Sequence, residues 1–269
     1  MYLAIDIGGS KTLLAVFDDH GNITDKYKIP TNKDYSGFIA ELQDAISNKL
    51  GHHAFAAICC AVPGKLDKDM SVVQVLGNLP WRNKHIKRDI ELIVRHTPVF
   101  LQNDAKLAGL AEALVHPKYH KVLYLTVSTG IGDGIIIDGK IDPNFTSSEP
   151  GQMMVEFDNR IQKWEDFASG RALVAKYDKR ASDIEDPKIW KHFAKGLARG
   201  MNELIAILQP DVIILGGGVG AHFEKFSAAL KDELKDLSNE MVPTPPVIKA
   251  KHAEEAVIYG CYEYIKQNV

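Results

Sequence analysis

The sequence predicts an α/β fold of two lobes with mixed sheets flanked by helices. Three observations carry that reading. Short apolar runs of strand length alternate with segments of helical periodicity along the 269 residues. Each half opens on a strand, a glycine turn and a second strand. The order is three strands, helix, strand, helix, and then strands and helices again.

The first strand covers 2–7 and ends at Gly8-Gly9; the second covers 12–17. Asp18-Asp19-His20-Gly21-Asn22 is a strong hairpin-turn signal, and 23–29 makes the third strand. Phe38, Ile39, Leu42, Ala45, Ile46 and Leu50 then fall at helical spacing, with Gly51 as the stop. A buried strand at 54–62 ends at Pro63-Gly64, and a short one at 98–101 ends at Asn103-Asp104. Leu107, Leu110, Ala111 and Leu114 mark the inner face of the helix that follows.

The second half repeats the theme. A strand at 121–127 leads into Ser128-Thr129-Gly130-Ile131-Gly132-Asp133-Gly134, then a strand at 135–137 and a turn at Asp138-Gly139-Lys140. Helices are expected at 164–177 and 189–208, a strand at 211–215 ending in Gly216-Gly217-Gly218, and a helix through Phe223, Phe226, Leu230, Leu234 and Leu237. A strand at 247–250 and a closing helix from Glu254 complete the chain. Val115-His116-Pro117-Lys118 is the expected link, giving lobes 1–116 and 117–253, with the closing helix 254–269 packed back on the first. The halves show no close sequence repeat and no low-complexity segment.

Composition narrows the function classes. Hydrophobic content of 45% and charged content of 25% are ordinary for a globular protein, and a net charge of −3 leaves no electrostatic footprint for nucleic acid. Cys59, Cys60 and Cys261 cannot build a disulfide framework; Cys59 and Cys60 sit in an apolar run and read as buried thiols in a reducing compartment. No Cys-x-x-Cys pair is present, so no structural zinc is expected, and none of the ten histidines is assigned a role. The start Met1-Tyr2-Leu3-Ala4-Ile5-Asp6 has no signal-peptide character, and no apolar run has the length of a bilayer span, so a cytoplasmic protein with no membrane partner is expected.

Several segments suit chemistry. Asp6-Ile7-Gly8-Gly9-Ser10-Lys11-Thr12 offers glycine backbone for close approach of an anion, Ser10, Lys11 and Thr12 as donors, and Asp6 as a ligand for Mg²⁺. The bland alternative is a glycine-rich hairpin turn, and the spacing is not that of a Walker loop. Thr129, Gly130 and Gly132 lie in a second such turn, where Asp133 would repel a phosphate unless a metal intervenes. Gly217 and Gly218 follow an apolar strand and precede a helix, where an adenosine or merely a tight turn would fit. Asp104 opens a helix at a strand end: as an N-cap, as a general base toward a hydroxyl with Asn103 orienting, or as both. Asn78, Glu149, Gln152 and Glu165 offer polar groups for a sugar-sized pocket, although each has an ordinary structural role as well, Glu165 as a first-turn acid.

Taken in order, these motifs resemble the ROK family of bacterial sugar kinases, over nearly the whole chain. Asp6 to Thr12 looks like its first phosphate motif. Cys60-Ala-Val-Pro63-Gly64 and Asn78-Leu-Pro-Trp81 look like its sugar-pocket loops. Asn103-Asp104-Ala105 with Gly109-Leu-Ala-Glu112 is similar to its catalytic segment, Thr129-Gly-Ile-Gly132 to its second phosphate motif, and Trp164-Glu165 through Ser169-Gly170 to the segment whose glutamate contacts sugar. Leu208 to Gly218 resembles its adenosine-side motif. The resemblance implies a two-lobed actin-like ATPase (ribonuclease H-like) fold with a cleft between the lobes. It further implies ATP and Mg²⁺, a hexose such as glucose phosphorylated at its 6-hydroxyl, Asp104 as base, and Gly64, Asn78, Asn103, Glu149, Gln152 and Glu165 as sugar contacts. Homodimers are common in that family.

The chain departs from the pattern in two places. Glu149-Pro-Gly-Gln152 has glutamine where the family's zinc-ligating histidine stands, and residues 153–163 replace the cysteine-rich zinc loop with a shorter connection. Members that use polyphosphate also lack that loop, and Pro143-Asn144-Phe145-Thr146 looks somewhat like their version. A polyphosphate donor is therefore one alternative, and a catalytically weak sugar-binding protein is another.

Overall fold

A computed structural model describes residues 1–252 and 255–269. The chain divides into two compact units, Met1–Ala111 with Glu255–Val269, and Glu112–Glu254.

The first unit holds a five-stranded sheet. Strands β1 (Tyr2–Ile7), β2 (Lys11–Phe17) and β3 (Ile23–Pro30) form an antiparallel meander, as the short turns between them require. Helix α1 (Tyr35–Asp44) starts on Asp34, whose carboxylate accepts from the Gly37 N–H at 2.8 Å, and runs on into a π-helical turn at Ala45–Lys49. Strand β4 (Ala57–Val62) then pairs parallel with β1. Three short strands, β5 (Lys65–Leu66), β6 (Val73–Val75) and β7 (Arg82–Lys84), form a small separate sheet before α2 (Ile86–Ile93). Strand β8 (Val99–Asn103) pairs parallel with β4 and passes directly into α3 (Asp104–Leu114). The strand order is β3-β2-β1-β4-β8. Leu3, Ile5, Ile7, Phe38, Leu42 and Trp81 centre a core on one sheet face.

In the second unit, β9 (Lys121–Val127), β10 (Ile131–Ile137) and β11 (Lys140–Ile141) again form an antiparallel meander. A hairpin of β12 (Met154–Phe157) and β13 (Arg160–Lys163) follows, then α4 (Trp164–Ala168), α5 (Gly170–Tyr177) and the long α6 (Pro187–Leu208). Strand β14 (Val212–Gly216), the one-turn α7 (Gly217–Gly220), α8 (Ser227–Leu237) and β15 (Val247–Lys249) complete it. The order β11-β10-β9-β14-β15 has the same sequence of antiparallel and parallel pairings as the first sheet. Helix α9 (Ala256–Asn268) returns to the first unit, where Tyr262 stacks on Phe17 with ring centroids 5.0 Å apart.

The division between the two units falls inside α3, where the buried Glu112 carboxylate accepts from the Lys251 and His252 N–H groups at 2.8 and 2.6 Å. Several expectations about single elements are corrected. The expected helix 164–177 is two helices. Ser169 breaks it in extended conformation and accepts from the Ala172 N–H at 3.2 Å, while the Gly170 N–H donates to the Ser128 carbonyl at 2.7 Å. Residues 153–163 form a hairpin whose two-residue turn, Asp158-Asn159, has both residues at positive φ, the arrangement a type I′ turn requires. The closing helix was expected from Glu254, which lies outside the described residues; it is seen from Ala256. Among the described residues no helix is long and apolar enough to cross a membrane.

Candidate active site

Each unit gathers its own part of the predicted residues. In the first, β1 carries Asp6 to the edge of the glycine turn, and β8 carries Asn103 and Asp104 to the start of α3. Asn103, not Asp104, caps that helix. Its Oδ1 accepts from the N–H groups of Ala105 (2.9 Å) and Lys106 (3.2 Å), while Asp104 is already the first helical residue and accepts from the Ala105 N–H at 2.8 Å. The Asn103 amide donates to the Gly64 carbonyl at 3.0 Å, which joins the end of β8 to the loop after β4. Gly64 sits at φ +110°, and a Cβ there would lie 2.2 Å from the Val75 carbonyl oxygen, so only glycine fits.

The electrostatics of this end are unusual. Burial pushes Asp6 up to about 7, and the charge of Asp104 adds to the rise. Burial also raises Asp104 to about 6, tempered by the Ala105 N–H and the Lys106 charge. At neutral pH Asp6 is thus close to half-protonated beside a largely ionised Asp104, a setting in which a divalent cation would relieve the repulsion.

Around them, Ser10 and Lys11 are exposed on the turn, and the Gly8 N–H closes it on the Lys11 carbonyl at 3.0 Å. Asn78 is exposed, and its Cβ lies 2.8 Å from where a Cβ on Gly9 would be, so this loop touches the glycine turn. The loop is held by Arg82, which donates to the Trp81 and Leu79 carbonyls at 2.8 and 3.2 Å, and by the Trp81 indole, which donates to the Lys33 carbonyl at 2.8 Å. Thr12 is buried, with its hydroxyl 2.9 Å from that of Thr31, so its side chain bonds the residue that follows β3.

In the second unit, Gln152 and Glu165 stand at the two ends of the β12–β13 hairpin and meet, the Gln152 amide donating to Glu165 Oε1 at 2.8 Å. Glu165 Oε2 accepts from the Ile131 N–H at 3.4 Å and lies 2.6 Å from where a Cβ on Gly130 would be. Trp164 anchors this carboxylate. Its ring packs so closely on α6 that a Cβ on Gly200 would come within 2.2 Å of it, and its indole N–H donates to the Gly196 carbonyl at 3.3 Å. Glu149 is exposed on the turn before Gln152.

The second turn is shorter than expected: Val127 pairs with Ile131, so the turn is Ser128 to Gly130 and Gly132 is a strand residue opposite Thr126. Asp133 is no neighbour of the turn's mouth. It is buried within β10, and the Ser148 hydroxyl donates to its oxygens at 2.7 and 2.8 Å.

Thr129 and Gly218 line a cleft of about 650 Å³ together with Ser128, Val174, Val219 and His222, while Gly217 is not among its lining residues. The sequence reading missed two residues here. Arg171 and Arg180 both line the cleft, and Arg171 also donates to Glu165 Oε1 at 3.1 Å. The pair follows no motif spacing; its position depends on the break at Ser169, which alternation of apolar residues does not disclose.

A family model described as ROK family matches residues 2–268. The chain belongs to the ROK family. It is 25% identical to a glucokinase from Streptomyces coelicolor over 98% of this chain and 97% of that protein. It is 29% identical to the N-acetylgalactosamine kinase AgaK from Shewanella sp. (strain ANA-3), over 87% of each chain. Its fold matches a ROK family glucokinase from Streptomyces griseus, crystallised with glucose and AMPPNP, at a TM-score of 0.83, with 24% identity and 99% of each chain covered. The fold of this ROK chain is the actin-like ATPase fold, and the repeated strand order of its two sheets is the corresponding internal repeat.

Proposed function

We propose that this ROK protein is a sugar kinase that moves the γ-phosphoryl group of ATP to a hexose hydroxyl, with glucose and its 6-hydroxyl as the first candidates and Asp104 as the general base. The observation that carries the reading is Asp104 itself, a buried carboxylate raised to about 6 beside Asn103 and Gly64. A base with that pKa is ionised at neutral pH yet basic enough to take a proton from a hydroxyl as it attacks. The proton passes to the Asp104 carboxylate while the new O–P bond forms and the bond to the ADP oxygen breaks.

Gly64, Asn78, Asn103, Glu149, Gln152 and Glu165 are assigned to the sugar. Gly8, Gly9, Ser10, Lys11, Thr129 and Gly130 are assigned to the phosphates, and Gly217 and Gly218 to the nucleoside. Thr12 and Gly132 act through the strands that hold the two turns. Asp6 offers the hard oxygen ligand that suits Mg²⁺, and its raised pKa marks a place where positive charge is wanted. When bound, Mg²⁺ neutralises charge on the phosphates. The 650 Å³ cleft, with apolar Val174 and Val219 beside Arg171 and Arg180, suits a purine and its charged tail.

The test is a donor-by-sugar screen with ATP and polyphosphate against glucose and N-acetylgalactosamine, run beside Asp104→Asn. Loss of the general base is expected to cost ~10²–10⁴-fold in turnover. Near-normal turnover in the folded variant would show that Asp104 is not the base. Polyphosphate use without ATP use would replace the donor, and sugar binding with no transfer from either would replace the enzyme by a sugar-binding protein.

A further inference from the structure

Apart from His222, which lines the 650 Å³ cleft, the histidines are not used in the site described above, and two of them converge with a carboxylate at the other end of the first sheet. Asp25 lies on the edge strand β3, at the register position opposite Val16, away from the Lys11–Pro30 end that faces the glycine turn. His52 and His53 lie in the turn after α1 and its π-helical extension, where the His53 N–H donates to the Leu50 carbonyl at 3.0 Å. Among the described residues these are the three metal-ligating side chains whose ligand atoms gather within 4.8 Å of one another.

We propose that Asp25, His52 and His53 form a binding site for a divalent transition-metal cation such as Zn²⁺, which pins the edge strand β3 to the turn that ends the first helical segment. The geometry is that of ligands rather than of hydrogen-bond partners. Both imidazole Nε2 atoms stand 3.6 Å from the same oxygen, Asp25 Oδ2. That distance is too long for a hydrogen bond. It is close to the ~3.4 Å that separates two ligands of one zinc ion held at ~2.0–2.1 Å in tetrahedral geometry. The second observation is His53 Nε2, which is buried and has no hydrogen-bond partner. A buried ring nitrogen without a partner is costly, and a cation shared with Asp25 Oδ2 would satisfy it. Two imidazoles and one carboxylate leave a fourth position for water. This donor set selects a borderline cation such as Zn²⁺ or Ni²⁺ over Mg²⁺, which prefers oxygen alone. The site lies on elements distinct from residues 153–163, where the family's cysteine-rich loop would be, and it shares no residue with the proposed sugar and nucleotide contacts.

The full-length chain, stripped with a chelator, would be dialysed to equilibrium against micromolar free Zn²⁺ and its metal content measured, for the wild type and for Asp25→Asn, His52→Ala, His53→Ala and His192→Ala. The expected result is one zinc per wild-type chain, and a higher thermal midpoint with zinc than without. Asp25→Asn and His53→Ala should weaken binding by at least ~10-fold, since even outer-shell changes cost that much, and His192→Ala should bind as the wild type does. Circular dichroism confirms that each variant is folded; if one of the two ligand variants is not, the other decides. A wild type that holds no zinc would overturn the proposal. So would zinc retained in full by Asp25→Asn and His53→Ala, or lost instead with His192, which belongs to a separate cluster with Lys176 and Asp158.

Discussion

The two units of this ROK chain use one sheet in two ways. Their strand orders and senses correspond strand for strand, so the ladder registers pair residue with residue. Asp6 is the last β1 residue paired with β4, opposite Ala61, and Thr126 is the last β9 residue paired with β14, opposite Gly216. The first unit therefore places a carboxylate where the second places a hydroxyl. After the central parallel strand each has a glycine at positive φ, Gly64 at +110° and Gly217 at +79°. The turn between the first two strands is also glycine-containing in both. What differs is where polar function resides. In the first unit ionisable groups sit on the ends of the sheet strands themselves. In the second, Gln152, Glu165 and Arg171 all come from the segments inserted between β11 and α6. Strand ends are rigid and suit a group whose protonation must be controlled. Inserted hairpins and short helices can change length without disturbing the sheet, and they suit recognition.

The sharpest way to break that comparison is to erase it at one position. Asp6→Thr gives the first unit the residue of the second. Turnover with Mg²⁺ and ATP is expected to fall ~10²–10³-fold, the usual loss when an electrostatic stabiliser of the transferring group is removed. Thr126→Ser, the mild change at the corresponding site, should leave turnover close to wild type. Equal effects at the two positions would mean that the carboxylate is not what distinguishes the units.

The paired glycines come next. Gly64→Ala and Gly217→Ala each force a side chain into the left-handed region, with the new Cβ 2.2 Å from the Val75 carbonyl oxygen in one case and 2.6 Å from Thr126 Oγ1 in the other. Each is expected to cost on the order of 2–4 kcal/mol in denaturant unfolding. Gly64→Ala should also raise the KM for sugar, because the Gly64 carbonyl holds the Asn103 amide. Gly217→Ala should act on the KM for ATP instead.

A smaller effect probes the inserted segments. Glu165→Gln removes the charge that receives hydrogen bonds from Gln152 and Arg171. Bonds to charged groups contribute about 1.5–3 kcal/mol, so the sugar KM is expected to rise at least ~10-fold while kcat changes less. A kcat loss as large as that of Asp6→Thr, with KM unchanged, would place Glu165 with the chemistry instead of with recognition.

How much of this was legible in the sequence follows the same division. Asp6, Asn103 and Asp104 stand out because each ends an apolar strand run, and such runs are set by burial of side chains within one sheet. The inserted segments are hard to read because their order depends on contacts distant in sequence. The β12–β13 hairpin has exposed Met154 and Ile161, so its alternation is weak. The break at Ser169 depends on the Ser128 carbonyl, and the burial of Thr12 depends on Thr31. Capping by Asn103 rather than Asp104 is a one-residue shift that no propensity separates, since both are good caps. Adjacent His52 and His53 are plain in the sequence, but Asp25 reaches them only through the packing of β3 against the π-helical turn.

The pH dependence is the gentlest probe, and it connects activity in the first unit with its stability. If Asp104 must be ionised, kcat falls as pH drops through about 6: about half at that pH, and about a tenth one unit lower. Stability moves the other way. A carboxylate whose folded pKa is raised keeps its proton in the native state where the unfolded chain has lost it. The native state is therefore favoured below the ordinary carboxylate range and loses that advantage as pH rises from about 4 through 6 for Asp104 and 7 for Asp6. Asp104→Asn abolishes the Asp104 share and removes a charge that repels Asp6. It should therefore unfold at a higher denaturant concentration than the wild type at pH 7–8, by on the order of 1–3 kcal/mol, with the difference shrinking toward pH 4. An inactive variant that is more stable only above the acid range would show that the first unit holds its two carboxylates at the expense of its own stability. A variant destabilised equally at every pH would show instead that Asp104 matters to the fold through its hydrogen bond to Ala105 rather than through its charge.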